Sequence, residues 1–307
     1  MLLSIIIPVY NVEKYIKDCL GSIYDQRVDE SLFEVIIIND GTPDRSIEIC
    51  KDIITAHSNI KVIEQKNQGL SSARNTGIKK SSGKFLWFID SDDKILPDSL
   101  MSILHKINRD KDIVCFLLGH REENDKGEYI TSYTYNQPEQ CLNGCSFLES
   151  NFYDCAFFIP VQFTVWKKDF LLFNKLTFHD GIYHEDCEFT IKAMVKAVKI
   201  SFIRGEQYLY LRHNNTISTT VTPKRSFDYL KIIEELDTVN TGQKVIFDYM
   251  GLFFANALKN IIKCSLKDKI AFCKELKNYK NPLSNLQYCK AVKYKIIGKI
   301  IHTLYKS

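Results

Sequence analysis

The chain has 307 residues, 45% apolar and 25% charged, a composition that excludes a disordered or fibrous protein and suits one large domain or two ordinary ones. Net charge is only +4, but residues 256–307 hold 12 Lys against Asp268 and Glu275, leaving 29 basic and 35 acidic groups in the rest of the chain. A basic end on an acidic body predicts an anionic surface as the tail's partner and leaves the function to the body.

Residues 3–10 are a β-branched apolar run and predict a buried strand. After Asn11 a helix is expected, with Val12, Tyr15, Ile16, Cys19, Leu20 and Ile23 on its apolar face. Strands follow at 33–39, 60–64 and 84–89, with helices near 44–56 and 70–80 and another starting near Pro97. This rhythm predicts an α/β fold with a mainly parallel sheet flanked by helices. Such sheets bind ligands at the carboxyl ends of their strands, where Tyr10-Asn11, Asn39-Asp40, Gln65 to Asn67 and Asp90 to Asp93 fall. Further on, strands are expected at 112–118, 129–135, 199–203 and 207–212, a charged turn at 119–128 and a helix at 185–197. From 224 the pattern is helical. Its last segment places Val292, Ile296, Ile297, Ile300, Ile301 and Leu304 on one face among lysines, a basic amphipathic helix.

The N-terminus has no basic region before Pro8 and no apolar run reaches about 18 residues, so neither a signal peptide nor a membrane-spanning helix is expected. Ten Cys form no Cys-x-x-Cys pair and read as small buried side chains rather than a zinc site. There is no Walker A loop and no Gly-x-Gly-x-x-Gly after the first strand.

Three clusters carry chemistry. Asp90-Ser91-Asp92-Asp93 puts three carboxylates in four residues after a buried strand. It suits a hard divalent ion, Mn²⁺ or Mg²⁺, completed by substrate phosphates, or else a solvated helix cap. Asp40-Gly41 can accept from a base N–H or a ribose hydroxyl, or form an Asx turn. In Asn67 to Gly77, Arg74 lies one turn into a helix, placed for a diphosphate, a base carbonyl or a carboxylate such as Asp90 or Asp40.

Together, Ser4-Ile5-Ile6-Ile7-Pro8-Val9-Tyr10-Asn11, Asn39-Asp40-Gly41-Thr42-x-Asp44, Asn67-x-Gly69-x-Ser71-x-Ala73-Arg74-Asn75-x-Gly77 and Asp90-Ser91-Asp92-Asp93 resemble family 2 of the inverting, nucleotide-sugar-dependent glycosyltransferases with the GT-A fold. The match is dense over 3–100 and sparser through His184-Glu185-Asp186 and Tyr210 to Ser218; Asn39 departs from it, since the family often has two acids before the Gly.

The resemblance implies that Pro8, Val9, Tyr10, Asp40 and Arg74 frame the base, usually uracil, with Glu13, Asn67 and Ser91 beside the donor. It implies that Asp90 approaches the ribose, that Asp92 holds the metal with His213 as a second ligand, and that Arg212 meets the diphosphate. Asp186, with Glu185 beside it, becomes the base that deprotonates an acceptor hydroxyl, while Trp166 and His184 are acceptor-side candidates. The expected catalytic domain is 1–222, with a nucleotide-binding half at 1–110 and an acceptor half at 111–222, followed by a helical, basic region at 223–307. The expected partners are a nucleotide-sugar donor, probed first as a UDP-sugar, and a bacterial surface glycan or lipid-linked glycan. The expected location is the cytoplasm, peripheral at the inner face of the membrane through the basic tail, without nucleic acid, since 256–307 contains no Arg. Rival readings are a metal-dependent nucleotidyl- or phosphoryl-transfer enzyme and a silent nucleotide-sugar-binding subunit.

Overall fold

The computed structural model describes residues 1–135, 142–153, 160–213 and 221–279. They group into two compact units, one drawn from 1–144, 159–181 and 197–214, the other from 145–158, 182–196 and 215–307.

The first unit is built on β1 (Leu3–Val9), β2 (Phe33–Asn39), β3 (Ile60–Glu64), β4 (Phe85–Phe88), β5 (Lys94–Ile95), β6 (Cys115–Asn124), β7 (Tyr129–Tyr133), β8 (Thr164–Lys167) and β9 (Ile200–Arg212). They form one sheet in the order β3-β2-β1-β4-β8-β6-β9-β5, with β7 beside β6. β3, β2, β1 and β4 are parallel, as the strand–helix rhythm predicts. β8 enters antiparallel between β4 and β6, and β6 runs parallel to β9. The expected α/β architecture is present, with a parallel half and a mixed half.

Helices α1 (Ile16–Tyr24), α2 (Lys51–Ala56) and α3 (Leu70–Lys80) connect the parallel strands, and α4 (Ser99–Arg109) lies between β5 and β6. Alternation along β1 sends Leu3, Ile5, Ile7 and Val9 into one core with Ile16, Cys19, Leu20 and Ile23 of α1 and Leu100, Ile103, Leu104 and Ile107 of α4. Ile6 faces the other way, toward α3. A Cβ on Gly77 of α3 would lie 2.3 Å from Ile6 Cγ2, so glycine sets how closely α3 seats on β1. Gly77→Ala is expected to destabilise the protein by about 2 kcal/mol, since overpacking costs about 1–3 kcal/mol and the gain in helix propensity returns up to about 1. A lower denaturant midpoint at unchanged slope would register it.

Two expectations are corrected. The charged turn expected at 119–128 is confined to 125–128, because β6 continues to Asn124. Its charges are paired across the ladder, Arg121 with Glu206 at 2.6 Å and Glu122 with Arg212 at 2.6 Å, so the strand stays extended. The two strands expected at 199–203 and 207–212 are one strand, β9, which shifts register opposite Gly119. Gly205 takes φ +84° there, and a Cβ on Gly119 would lie 2.1 Å from the Gly205 carbonyl.

A short helix, α6 (Lys168–Phe173), follows β8. The second unit contains α5 (Gly144–Tyr153, all but its first residue), α7 (Glu185–Lys196), α8 (Pro223–Val239), α9 (Lys244–Ile261) and α10 (Leu266–Glu275). Thr222 caps α8, and Pro223 occupies its first turn. Ser226 Oγ donates to the Ala257 carbonyl at 2.9 Å and accepts from Asn260 Nδ2 at 2.8 Å, pinning α8 to α9. Lys192 bridges Glu188 of α7 and Glu235 of α8 at 2.7 and 2.8 Å. The helical pattern from 224 is observed as far as 279; the amphipathic segment from Val292 lies outside the described residues. Among the described residues no helix is long and apolar enough to cross a membrane.

Candidate active site

The loops leaving β1 and β2 are stitched together. Asn11 adopts φ +57°. Its N–H donates to Thr42 Oγ1 at 2.7 Å, the Val12 N–H to Ser46 Oγ at 3.1 Å and the Glu13 N–H to Asp44 Oδ2 at 2.9 Å. Burial works against the Asp44 charge, but donors from Ser46, Thr42 and the backbone outweigh it and hold its carboxyl at about 2. Glu13 accepts the Arg45 N–H at 3.0 Å, so part of its carboxylate closes this loop pair. Pro8 and Val9 end β1, and Tyr10 beyond them is 48% exposed, its ring available to a flat ligand.

Asp40 is buried at the end of β2. Its Oδ1 accepts from Gln65 Nε2 at 2.7 Å and from the Gln68 N–H at 2.9 Å, and its Oδ2 accepts the Gly69 N–H at 2.8 Å. One carboxylate therefore shapes the loop holding the exposed Asn67 and starts α3, leaving lone-pair capacity on Oδ2. Asn39 donates to Glu64 at 2.7 Å and accepts the Thr42 N–H at 3.0 Å; an aspartate there would repel Glu64. Arg74, 2% exposed, donates from Nη2 to Asp90 Oδ1 at 2.6 Å and lies over the Phe178 ring at 5.3 Å. Of the carboxylates weighed for it, Asp90 is the observed partner.

Asp90 to Asp93 lie just beyond β4. The Asp90 N–H donates to the Tyr208 hydroxyl at 3.2 Å, which donates to Asp93 Oδ2 at 2.6 Å, and Asp93 Oδ1 accepts the Leu211 N–H at 2.8 Å. Asp93 thus ties the acidic turn to β9, while Ser91 is buried between the acids. Burial, then Asp92 and Asp90, push the Asp93 carboxyl well above the usual carboxylate range. Asp92 keeps a 40% exposed side chain; burial of the surrounding site, then Asp90, push its carboxyl up to about 6. That is the electrostatic signature of a cluster short of positive charge.

His213 stands opposite. Its Nε2 is 3.9 Å from Asp92 Oδ2, buried, and without a hydrogen-bond partner among the described residues. Its Nδ1 is paired with Asp125, and its ring packs on Tyr15 at 4.3 Å. Two atoms on one octahedral ion with bonds of about 2.1 Å stand about 3.0 Å apart when adjacent and about 4.2 Å when opposite, so Asp92 and His213 at 3.9 Å can share a divalent cation after a side-chain shift of less than about 1 Å. Among the described residues no three His, Cys, Asp or Glu side chains gather to hold a metal; the remaining positions would fall to phosphate and water. Arg212, expected to meet a diphosphate, is paired with Glu122 and keeps an exposed side chain.

In the second unit, His184 (φ +63°) precedes α7. Its Nε2 accepts from Arg225 Nε at 3.0 Å and from the Tyr229 hydroxyl at 2.9 Å, and the Tyr229 ring stacks on it. Burial lowers the His184 pKa against the pull of Asp186, so the imidazole is neutral at pH 7. Glu185 is buried. Asp186 is half-buried, in the first turn of α7.

Residues 4–165 match the family described as Glycosyl transferase family 2, which is more than half of the chain. The chain belongs to glycosyl transferase family 2. The uncharacterized glycosyltransferase EpsJ of Bacillus subtilis is 29% identical over 254 residues, 82% of this chain and 71% of that protein. Glycosyltransferase GlyA of Streptococcus pneumoniae is 31% identical over 238 residues, 72% of this chain but only 32% of that longer protein. A crystal structure of residues 1–349 of S. aureus TarS with UDP-GlcNAc superposes with a TM-score of 0.74 at 22% identity, covering 93% of this chain and 82% of that one. That likeness concerns the fold.

One site residue of this glycosyltransferase is corrected. Trp166 is fully buried in β8, stacks on Phe170 and donates its indole N–H to Thr164 Oγ1 at 2.7 Å. It is a core residue and offers no face to an acceptor. Tyr208 and Asp125 were not foreseen as parts of the site.

Proposed function

We propose that this glycosyltransferase uses a UDP-sugar, transfers the sugar with inversion to a hydroxyl of a glycan or lipid-linked glycan, and does so with Mn²⁺ or Mg²⁺ held by Asp92 and His213. The observation that carries this reading is the Asp92 carboxylate facing the orphaned His213 Nε2 across 3.9 Å within an acidic strand-end cluster. The UDP-GlcNAc bound to the TarS fragment supports the choice of nucleotide. When bound, the cation supplies Lewis-acid neutralisation of the departing diphosphate.

The chain's own groups do the rest. The Tyr10 ring, with Pro8, Val9 and the loop carrying Glu13, frames the base; Asp40 Oδ2 and Asn67 border it. Arg74 holds Asp90 for the ribose, and Ser91 packs between the acids. Asp186 takes the acceptor hydroxyl proton as that oxygen bonds the anomeric carbon. The bond from that carbon to the phosphate oxygen breaks, and its electron pair leaves with UDP. Glu185 and His184 flank the base on the acceptor side. Residues 1–222 form the catalytic region, and the basic tail rests on the inner face of the membrane.

Purified protein with Mn²⁺ should release UDP from one member of a panel of nucleotide sugars, and the product linkage should be β from an α-linked donor. Pyrophosphate or phosphate as the product would favour attack at phosphorus. Absence of turnover with every nucleotide sugar and acceptor tried would sink the reading. Deleting 285–307 should move the protein from membrane to soluble fractions; an unchanged distribution removes the membrane role of the tail.

A further inference from the structure

We propose that Asp125 is the positioning residue for His213: it accepts the Nδ1 proton, fixes the imidazole as the Nδ1–H tautomer and aims the Nε2 lone pair at Asp92. This inference rests on the metal reading above and goes beyond it by naming the residue that makes His213 a ligand.

The backbone brings the two together. In the parallel pairing of β6 with β9, Asn124 is the partner of Arg212, so the residues that follow the two strands, Asp125 and His213, stand beside each other although 88 positions separate them. Arg212 pairs with Glu122 at 2.6 Å and clamps that register one residue before the histidine. The turn after β6 is equally determined. Asn124 Oδ1 accepts the Lys126 and Glu128 N–H groups at 2.9 and 3.0 Å, its Nδ2 donates to Glu128 at 2.7 Å, and Gly127 takes φ +75° to close the turn. Tyr15 packs on the imidazole at 4.3 Å.

The imidazole therefore has one nitrogen committed to a carboxylate and the other shut from solvent with no hydrogen bond among the described residues. A neutral imidazole carries one proton, and a carboxylate partner draws it to the nitrogen it faces. The free lone pair then lies on Nε2, 3.9 Å from Asp92 Oδ2. Carboxylate partners of this kind fix the tautomer and raise the basicity of metal-binding histidines.

The test uses the full chain. In the metal-free protein, ¹⁵N shifts should report His213 as the Nδ1–H tautomer, with that preference lost in Asp125→Ala and kept in Asp125→Asn, whose amide oxygen still accepts. Mn²⁺ binding, followed by loss of the free-ion electron paramagnetic resonance signal with and without UDP, should weaken about 10–100-fold in Asp125→Ala, less in Asp125→Asn and at least as much in His213→Ala. An Nε2–H tautomer in the wild type overturns the proposal whatever the variants do. Unchanged Mn²⁺ affinity in Asp125→Ala beside a loss in His213→Ala overturns it while leaving the metal site standing. Wild-type affinity in both His213→Ala and Asp92→Asn would bring down the metal reading and this inference together.

Discussion

Asp186→Asn is expected to lower kcat by about 10²–10⁴-fold, the usual worth of a positioned general base, with little change in donor KM. The asparagine has the same shape, so the first turn of α7 should keep its geometry while the proton acceptor is lost. The neighbouring groups do not replace it. His184 already spends its Nε2 lone pair on Arg225 and Tyr229, and Glu185 is buried. Asp186→Glu moves the oxygens by one methylene and should also lose rate, because the base must sit within hydrogen-bond reach of the attacking hydroxyl. The informative readout is acceptor-dependent UDP release. It should collapse in Asp186→Asn while donor binding persists, so a variant turning over at the wild-type rate with a true acceptor removes Asp186 from the mechanism.

The parallel half of the fold was legible because its strands are continuous apolar runs between helical spacings, a pattern that few other arrangements can bury. The strand ends were legible as well, since Asp40 lies just beyond β2 and Asp90 and Asp92 just beyond β4. What those residues do was less legible. Asp40 spends most of its carboxylate on N–H groups of residues 65–69, and no local pattern announces a partner 25 or more positions away. Asp125 read as one more charge in a polar turn, because its meaning comes from the β6–β9 register. The same register hid the full length of β6, whose charges looked like solvent-facing turn residues until their partners on β9 were known. Trp166 failed for a different reason. An aromatic residue type is equally at home in a sugar pocket and in a core, and only burial decides between them.

Asp92→Asn is expected to cost about 10²-fold or more in kcat/KM, because Lewis-acid stabilisation of a leaving diphosphate is worth several kcal/mol and each 1.4 kcal/mol is about tenfold. Its pH dependence separates a metal ligand from a structural acid. Burial and Asp90 push the Asp92 carboxyl up to about 6 in the metal-free protein, above the ordinary aspartate value of about 3.9. Between those values the folded state binds more protons than the unfolded one, so this group's contribution to stability is fully present below about pH 4 and is lost as pH rises through about 6. A cation reverses the preference, since it binds only the deprotonated carboxylate. The rise in melting temperature on adding Mn²⁺ should therefore be large at pH 7 to 8 and shrink as pH falls through 6 toward 5, and Asp92→Asn should flatten that profile. A Mn²⁺ effect that persists unchanged at pH 5, or that survives in Asp92→Asn, would place the ion elsewhere. With the expected profile, the same repulsion that makes the empty acidic turn unfavourable at neutral pH becomes the source of its affinity for the cation, which explains why three carboxylates are kept together where the Arg74–Asp90 salt bridge offsets only part of their charge.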